Sequence, residues 1–522
     1  MKRTSNHSEQ RLFREEVLSF TSHIYMTLAI LCRRRHKVAI IAELNLKFSS
    51  RFLRQKNACG MEFSMKNMQN QIMLPEIPEK EYKITEYGAV SNGKISNTKA
   101  FAAAIEAASQ AGGGTVVIPA GIWLTGPITL KSNIRLHACR GAVVLFDKNP
   151  EEYPVFLADY EGQPRIRTVS PIHAREAENI AITGEGIFDG NGQLWRPLKQ
   201  MKVTEKQWAA CLKKSPYVIN GKEGGIWMPT QSIYEGAMAG EPDVLSPDAD
   251  IEAALKKASE HYDYYRPVMV SLVKCDRVLI EGVTLQNSPA WNVHPLFCTN
   301  LTIRRAVIRN PYYAQNGDGL DLESCKGVHI HDVSFDVGDD GICMKSGKNA
   351  VARKIPVPTE DVYIHDCVVY HGHGGFVVGS EMSRGVRNVL VENCTFVGTD
   401  VGLRFKSAIG RGGVVEDITI RDIYMTDIVN EAIIMTMGYV LNNSDGSLEA
   451  NPEEIDREDI PEFKNITMEN INCLGARNAI KIEGLKQLPI HDIHIKDSYF
   501  KAQTGYTESY AENIVLENVV IE

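Results

Sequence analysis

The sequence predicts an all-β protein, a right-handed parallel β-helix solenoid with a short N-terminal capping helix and long loop insertions. In a repeat after residue 299, Asn, Asp or Gly opens each unit and alternating apolar residues follow. The units begin at Asn300, Gly327, Asp361, Asn388, Asp417, Asn465, Asp492 and Asn513. Short strands recurring every about 20 to 50 residues without crossover helices are typical of a β-helix, whereas a Greek-key sandwich has no fixed period. We expect the opening Asn and Asp residues to form a side-chain ladder.

A second apolar register lies inside the same period, with segments that begin at Asp318, Asp340, Gly374, Val401, Glu431 and Asn478. Equivalent positions on successive turns of a β-helix stack about 4.8 Å apart, so columns in the sequence become columns in space. The third and fifth positions are predicted to face the core: Leu320/Leu322, Ile342/Met344, Phe376/Val378 and Leu403/Phe405. The fourth and sixth positions are predicted to face solvent: Asp321/Glu323, Cys343/Lys345, Val377/Gly379 and Arg404/Lys406.

A helix is predicted before the repeats, with Asn97 as its candidate N-cap and the glycines from Gly112 ending it. One other helical stretch stands out, over residues 251–261. It lies within a long irregular insertion that covers residues 191–265, and a second irregular segment covers residues 442–461.

The first 64 residues differ from the rest of the chain. They are rich in Arg and Lys, and their apolar run over residues 24–32 is too short to span a bilayer. No cleavage site for a signal peptide is evident. We expect residues 1–64 to be a poorly ordered or non-native extension and residues 81–522 to form a single β-helix domain. Localisation stays open: periplasmic or secreted if a signal is missing from this N-terminus, and cytoplasmic otherwise.

Bulk composition excludes several functional classes. The net charge is −8 and the sequence pI is near 6.0, and no long basic stripe indicates a nucleic-acid partner. The eleven cysteines are scattered and lack CxxC or Cys/His metal spacing, so we interpret them as small buried hydrophobic residues. Cys367 and Cys394, for example, fall where the repeat places an inward residue.

Three carboxylates occupy equivalent positions on neighbouring turns. Asp318 and Asp340 open the second register on adjacent turns, and Asp339 immediately precedes Asp340. Crowded carboxylates resist ionising together, which splits their pKa values. A lone Asp-Gly pair is most often a turn, and three carboxylates could also begin a calcium site. The coincidence of these residues in column and turn favours a functional cluster.

Cationic residues follow on the next turns and decide between these interpretations. His373 falls in the column of Asp339, and Arg404 and Lys406 project from the outer face one turn later. Their positive charge disfavours a bound cation, so we predict neither a metal nor a cofactor. Glycoside hydrolysis needs one protonated carboxyl group and one ionised carboxylate, and Arg and Lys can pair with a carboxylate on a sugar. An acid–base site that cleaves a polyanion therefore fits best.

At these residues the sequence resembles the polygalacturonase family, glycoside hydrolase family 28. Four motifs of that family stand in order as Asn316-Gly317-Asp318, Gly338-Asp339-Asp340, Gly372-His373-Gly374 and Arg404-Phe405-Lys406. The segments YGAVSNGK, GGGTVVIPAG and SPAWNVHP also look like that family. Gly317 departs from the pattern, because a hydroxyl residue is frequent at that position.

The resemblance implies an inverting hydrolase of α-1,4-galacturonosyl bonds in polygalacturonate or pectin fragments. It implies that Asp339 is the general acid, that Asp318 and Asp340 hold the attacking water, and that His373 tunes the acid. The implied substrate-binding residues are Asn316, Arg404, Lys406 and Tyr439. An acidic to near-neutral optimum is expected, because Asp339 must stay protonated while its partners are ionised.

The two irregular segments favour exo-action, as in exo-polygalacturonase-like bacterial members, since loops above the coil could close one end of a cleft. Three alternatives stay open. One is a hydrolase of rhamnogalacturonan or substituted galacturonan in the same family. The others are a non-catalytic carbohydrate-binding β-helix and a lyase that cleaves by β-elimination.

Overall fold

The structure is a computed structural model that describes residues 72–221, 224–439 and 455–522. The predicted N-terminal extension, residues 1–64, lies outside the described residues, as does most of the irregular segment over 442–461. Within the described ranges, no helix is long and apolar enough to cross a membrane.

Strands dominate the described chain. In order they are β1 (Glu81–Lys83), β2 (Gly114–Ile118), β3 (Gly121–Thr125), β4 (Ile128–Thr129), β5 (Ile134–Ala138), β6 (Ala142–Phe146), β7 (Val155–Tyr160), β8 (Gln163–Thr168), β9 (Ile172–Arg175), β10 (Glu178–Gly184), β11 (Ile187–Asp189), β12 (Leu198–Lys199), β13 (Val218–Gly221), β14 (Gly224–Trp227), β15 (Val270–Val273), β16 (Asp276–Glu281), β17 (Thr284–Gln286), β18 (Val293–Leu296), β19 (Thr299–Arg304), β20 (Val307–Arg309), β21 (Leu320–Glu323), β22 (Lys326–His331), β23 (Ser334–Asp336), β24 (Asp340–Lys345), β25 (Thr359–His365), β26 (Val368–Tyr370), β27 (Gly374–Val378), β28 (Val386–Val397), β29 (Leu403–Lys406), β30 (Val414–Thr426), β31 (Glu431–Thr436), β32 (Glu462–Glu483), β33 (Ile490–Ser509) and β34 (Ala511–Ile521). The helices are α1 (Thr98–Gln110), α2 (Glu205–Lys214), α3 (Gln231–Ala239), α4 (Ile251–Ser259) and α5 (Asn349–Arg353).

Twenty-nine strands form one parallel sheet that coils into three stacks. Stack A contains β1, β2, β5, β10, β16, β19, β22, β25 and the first parts of β28, β30, β32, β33 and β34. Stack B begins with β3, β6, β11, β17, β20, β23 and β26 and continues in the second parts of the same long strands. Stack C contains β4, β9, β15, β18, β21, β24, β27, β29, β31 and the ends of β32 and β33. The predicted fold, a right-handed parallel β-helix, is confirmed.

The interior of the coil is a continuous apolar column. In stack C, Leu320 pairs with Ile342, Ile342 with Phe376, and Phe376 with Leu403, and each side chain is fully buried. Burial of one such side chain contributes about 1.5–3 kcal/mol to the free energy of unfolding. The predicted inward positions of the second register are therefore confirmed. Cys367 and Cys394 are buried with free thiols, as expected.

The predicted ladder of Asn and Asp side chains is also confirmed. The Asn388 amide donates to the Asp361 carboxylate at 2.5 Å, and the Asn465 amide donates to the Asp417 carboxylate. These four opening residues have φ values of 51–59°. Asn and Asp tolerate this left-handed backbone better than other non-glycine residues. The residue type that opens or turns each unit is thus set by backbone conformation as well as by hydrogen bonding.

Helix α1 packs against β1, β2, β4 and β5 near the N-terminal end of the coil, in agreement with the predicted capping helix. Its apolar face, including Phe101 and Ile105, is buried. Asn97 occupies the N-cap position, as predicted, but its side chain makes no capping hydrogen bond. The Asn97 side chain accepts a hydrogen bond from the Val90 amide at 2.7 Å and donates to the Leu124 carbonyl at 2.9 Å. It therefore ties the entry loop to the coil.

The insertion over residues 191–265 is more regular than the sequence predicted. It contains α2, α3 and α4 and a small antiparallel sheet of β12, β14 and β13. The expectation of a single further helix is thus wrong, and the predicted helix over 251–261 ends at Ser259. A signal for α2 was present in the sequence, because Thr204 and Gln207 form a capping box at its start.

A hairpin of β7 and β8 covers part of the outer face of stack C and was not predicted. Its turn residues, Glu161 and Gly162, have φ values of 55° and 70°, as a two-residue hairpin turn of this type requires. A Cβ atom on Gly162 would lie 2.4 Å from the Gly347 Cα, so the tip contacts the coil closely. Tyr160 stacks on Trp291 with 4.4 Å between ring centroids.

One prediction about the outer face of stack C is wrong, because several side chains there are covered by other segments. Asp321, Glu323, Cys343 and Val377 were expected to face solvent, but all four are 0% exposed. Lys345 and Lys406 are 4% and 7% exposed, and Gly379 is buried as well. Of the eight positions predicted to face solvent, only Arg404 is partly exposed. Alternation along a strand indicates which face a side chain occupies, whereas burial also depends on what packs above that face.

Candidate active site

The three predicted carboxylates meet at the start of neighbouring strands in stack C. Asp318 lies just before β21, and Asp339 and Asp340 lie at the start of β24. One carboxylate oxygen from each residue lies within 4.8 Å of the other two. The glycine after Asp318 permits this approach, because a Cβ atom on Gly319 would lie 2.6 Å from the Gly341 carbonyl oxygen. The Asp-Gly pairs thus bring the two turns close together.

Two fixed cations contact Asp340 from the next turns. The Lys406 ammonium lies 2.7 Å from Asp340 Oδ2, and an Arg404 guanidinium nitrogen lies 3.5 Å from Asp340 Oδ1. Arg404 also donates to the His373 carbonyl oxygen at 3.3 Å. Burial raises the pKa of Asp340, but the charges of Lys406 and Arg404 outweigh burial and hold it below its ordinary value.

His373 pairs with Asp339, with 3.0 Å between Nδ1 and Asp339 Oδ1. Burial raises the pKa of Asp339, but the hydrogen bond and charge of His373 outweigh burial and lower it well below its ordinary value. Burial lowers the pKa of His373, yet the same hydrogen bond raises it overall. We expected crowding to keep the proton on Asp339; instead, the two shifts favour a proton on the imidazole of this pair.

Asp318 is the carboxyl group of the cluster whose pKa is raised, chiefly by burial. Burial raises its pKa well above the ordinary value, and the charges of Asp321 and Asp339 add to that effect. Within residues 72–221, 224–439 and 455–522, Asp318 Oδ1 has no hydrogen-bond partner. The cluster therefore combines a neutral carboxyl group with two ionised ones, which is the division of charge that acid–base chemistry requires.

The remaining predicted residues border this cluster. The Tyr439 ring centroid lies 5.3 Å from the Lys406 ammonium and 5.8 Å from the Arg404 guanidinium carbon. Asn316 Oδ1, two residues before Asp318, accepts a hydrogen bond from Arg266 at 2.9 Å. Arg266, which immediately follows the insertion, was not predicted as a site residue.

The buried ion-pair network around Lys345, beside the cluster, was also not predicted from the sequence. The Lys345 ammonium lies 3.0 Å from Glu381 and 3.5 Å from Asp321, and it sits 4.5 Å from the Trp291 ring centroid. The repeat placed Lys345 and Asp321 on the outer face but gave no reason to expect burial. The Glu161-Gly162 pair between two runs of strand-forming residues was the available signal for the covering hairpin.

Two further side chains flank His373. The Lys202 ammonium, from the insertion, lies 3.5 Å from His373 Nε2, and Asp400 Oδ2 lies 3.8 Å from the same nitrogen. The sequence could not place Lys202 here, because no repeat column connects an insertion to the coil.

The carboxylate cluster has the spacing of a cation site, but its charge environment disfavours one. Lys406 directly contacts Asp340, and His373 directly contacts Asp339. Calcium takes six to eight oxygen ligands, and these two carboxylates already face positive groups. Side-chain cations neutralise the acids, which is consistent with the prediction of no metal.

Asp339→Asn should lower the pKa of His373, because the substitution removes the carboxylate that stabilises the imidazolium. NMR titration of the His373 ring measures this, with the resonance identified by its loss in His373→Gln. We expect the His373 pKa to move from above about 6.5 to that value or below it. An unchanged His373 pKa in Asp339→Asn would contradict the pairing.

Comparison with known proteins places the chain in a family. The sequence model for glycosyl hydrolases family 28 matches residues 226–519, more than half of the chain. A relative from Dickeya chrysanthemi, an exo-poly-alpha-D-galacturonosidase, is 28% identical over 419 residues. The match covers 78% of this chain and 64% of that relative, so this chain spans less than two thirds of the relative's length.

Comparison with solved structures also places the chain among family 28 polygalacturonases. An exopolygalacturonase from Thermotoga maritima is 31% identical with a TM-score of 0.69, and the match covers 88% of this chain and 96% of that one. A family 28 exopolygalacturonase from Yersinia enterocolitica, 22% identical with a TM-score of 0.60, shares the fold over 84% of this chain and 78% of its own. The four ordered motifs, gathered at one site, agree with these matches: this chain belongs to glycosyl hydrolases family 28.

Proposed function

We propose that this chain hydrolyses the α-1,4-galacturonosyl bonds of polygalacturonate and pectin fragments and releases single sugars from a chain end. The observation that carries the proposal is the cluster of three carboxylates within 4.8 Å of one another beside Arg404 and Lys406. Family membership and the names of the Dickeya and Thermotoga relatives support it.

Asp339 serves as the general acid, with His373 as its source of the proton. In the free chain the proton lies on the imidazole, 3.0 Å from Asp339 Oδ1. Transfer along this hydrogen bond converts Asp339 into a carboxylic acid, which protonates the oxygen of the leaving sugar. A pair that shares one proton can thus supply an acid even though the pKa of Asp339 alone is low.

Asp318 and Asp340 hold the attacking water. Asp340 stays ionised beside Lys406 and can accept a proton from the water, while the free Oδ1 of Asp318 can orient it. Two carboxyl groups besides the acid suit a water held by two hydrogen bonds, whereas covalent attack would need only one carboxylate. Inversion at the anomeric carbon is proposed from membership in family 28, not from the spacing of the carboxylates.

Arg404 and Lys406 bind a carboxylate of the galacturonan. Arg404 is 20% exposed at its side chain, so a ligand can reach it. A planar guanidinium can take a sugar carboxylate through two parallel hydrogen bonds. Tyr439 packs beside both cations, and Asn316 lies at the edge of the acid cluster.

Exo-action follows from the hairpin of β7 and β8. Tyr160 of the hairpin packs on Trp291 and on His294 of β18, and the tip at Gly162 contacts Gly347, just after β24. The insertion supports the hairpin from behind, where Ile166 packs against Ala254, Ala258 and Tyr265. On the turns after the acids, Arg404 and Ile434 remain partly exposed. A groove that is closed on one side admits a chain end more readily than the middle of a polymer.

Oligogalacturonides of defined length should yield monomer from the first time point, and a polygalacturonate solution should lose viscosity slowly. Asp339→Asn should reduce kcat/KM at least about a hundredfold, because it removes the acid. Chromatography and viscometry measure these quantities, and retained substrate binding by the variant separates catalysis from mere recognition.

Different results in these experiments would support one of the alternative functions. A rapid fall in viscosity contradicts exo-action, and an unsaturated product that absorbs ultraviolet light indicates a lyase. Release of sugar only from rhamnogalacturonan or a substituted galacturonan would assign a different substrate within the family. Binding of galacturonan by the wild type without any cleavage would leave a non-catalytic β-helix.

The first product formed should be the β-anomer, because inversion converts the α-linkage. Proton NMR during the first minutes of reaction, before mutarotation, measures the anomer. This test matters because the nearest carboxylate oxygens are closer than the about 6.5–9.5 Å typical of inverting pairs. An α-anomer as the first product would assign direct attack by a carboxylate.

A further inference from the structure

Lys202 is a cation at the acid–base site without a carboxylate partner. It is half-buried, and its ammonium lies 3.5 Å from His373 Nε2. Within the described parts of the chain it forms no ion pair, unlike Lys345, Lys348 and Lys406. The charge of Lys202 favours the ionised form of Asp339 but opposes protonation of the His373 imidazole, because like charges repel. An anion that contacts both the Lys202 ammonium and the His373 imidazole would reduce this repulsion.

Among the described residues, three carboxylates lie near His373, and none of them forms an ion pair with Lys202. Asp339 engages Nδ1, Asp340 is neutralised by Lys406 and Arg404, and Asp400 stands 3.8 Å from Nε2. Asp400 is therefore farther from Nε2 than Lys202 is, and it is largely exposed, with 43% of its side chain accessible. A carboxylate from a ligand would reach both Lys202 and His373 Nε2 from the same exposed side.

The position of Lys202 differs from that of the established motif cations. Arg404 donates to the backbone carbonyl of His373, whereas Lys202 faces the ring of the same residue. The two cations thus contact different parts of one histidine, so a ligand that carries a carboxylate on each of two linked sugars could engage both. Galacturonan carries one carboxylate on each sugar.

We propose that Lys202, supplied by the insertion, binds the carboxylate of a second galacturonate residue, adjacent to the one that Arg404 and Lys406 hold. This inference rests on the proposed function and adds a specificity-determining residue to it. Through the same contact Lys202 is a positioning residue for His373, because an ammonium near the imidazole lowers the pKa of the imidazole. The insertion would thus serve the substrate directly as well as support the covering hairpin.

The test compares wild type with Lys202→Met, Lys202→Arg and the control Lys206→Met on trigalacturonate. Lys206 lies in the same insertion, on the first turn of α2, and is exposed. Loss of a charge-assisted hydrogen bond should lower kcat/KM about tenfold in Lys202→Met, mainly through KM. Lys202→Arg should retain most of the activity, and Lys206→Met should match the wild type.

A second measurement distinguishes binding from a structural effect. His373 faces Asp339, Asp400 and Lys202, with Asp340 nearby, so loss of the Lys202 charge alone should raise the pKa of His373. The basic limb of kcat/KM against pH should therefore move to higher pH in Lys202→Met and stay in place in Lys202→Arg.

The outcomes separate this inference from the proposed function. An inactive wild type overturns the proposed function and this inference with it. An active wild type with unchanged KM and pH profile in Lys202→Met overturns the inference alone. An equal loss in Lys202→Met and Lys202→Arg, without a shift of the basic limb, also overturns it and assigns Lys202 a purely structural role.

Discussion

The distance between successive turns of the coil is the constraint on which the site depends. Parallel strands stack about 4.8 Å apart, so a residue type repeated at one position of the repeat becomes a row of side chains in space. Asp318 and Asp340 use this spacing to meet, and the glycines that follow them let the turns approach. Arg404 and Lys406 use it to reach the same carboxylates from later turns. The acid cluster is thus assembled by the backbone before any side chain adjusts.

Neighbouring charges and burial then give the three aspartates different pKa values. Three carboxylates at one point could not all ionise unaided, and the structure resolves this with different neighbours for each. Lys406 and Arg404 keep Asp340 ionised, His373 keeps Asp339 ionised in the free chain, and Asp318 retains its proton. The acidity needed for catalysis therefore belongs to the His373–Asp339 pair rather than to one residue.

Repetition explains how much of the molecule could be predicted from its sequence. The coil, its inward columns, the Asn and Asp ladder and the gathering of Asp318, Asp339, Asp340, His373, Arg404 and Lys406 all follow from periodicity and motif order. Features outside the repeat did not follow. The hairpin that buries Asp321 and Lys345, and the insertion that delivers Lys202, depend on contacts between segments with no shared period. The side chain of Asn97 hydrogen-bonds to the backbone of Val90 and Leu124 and therefore does not cap the helix.

The most direct test of this account is the pH dependence of kcat/KM for Lys406→Met on oligogalacturonide, with Lys481→Met on the same outer column as Arg404 as the control. The free-enzyme pKa values appear in this profile. Asp340 has a lowered pKa and is ionised above it, so removal of the Lys406 charge should raise that pKa and move the acidic limb upward by about 1 pH unit or more. The control should keep the wild-type limb. A Lys406→Met enzyme that loses activity but keeps the wild-type acidic limb would contradict the claim that cations from neighbouring turns set the charge of the acids.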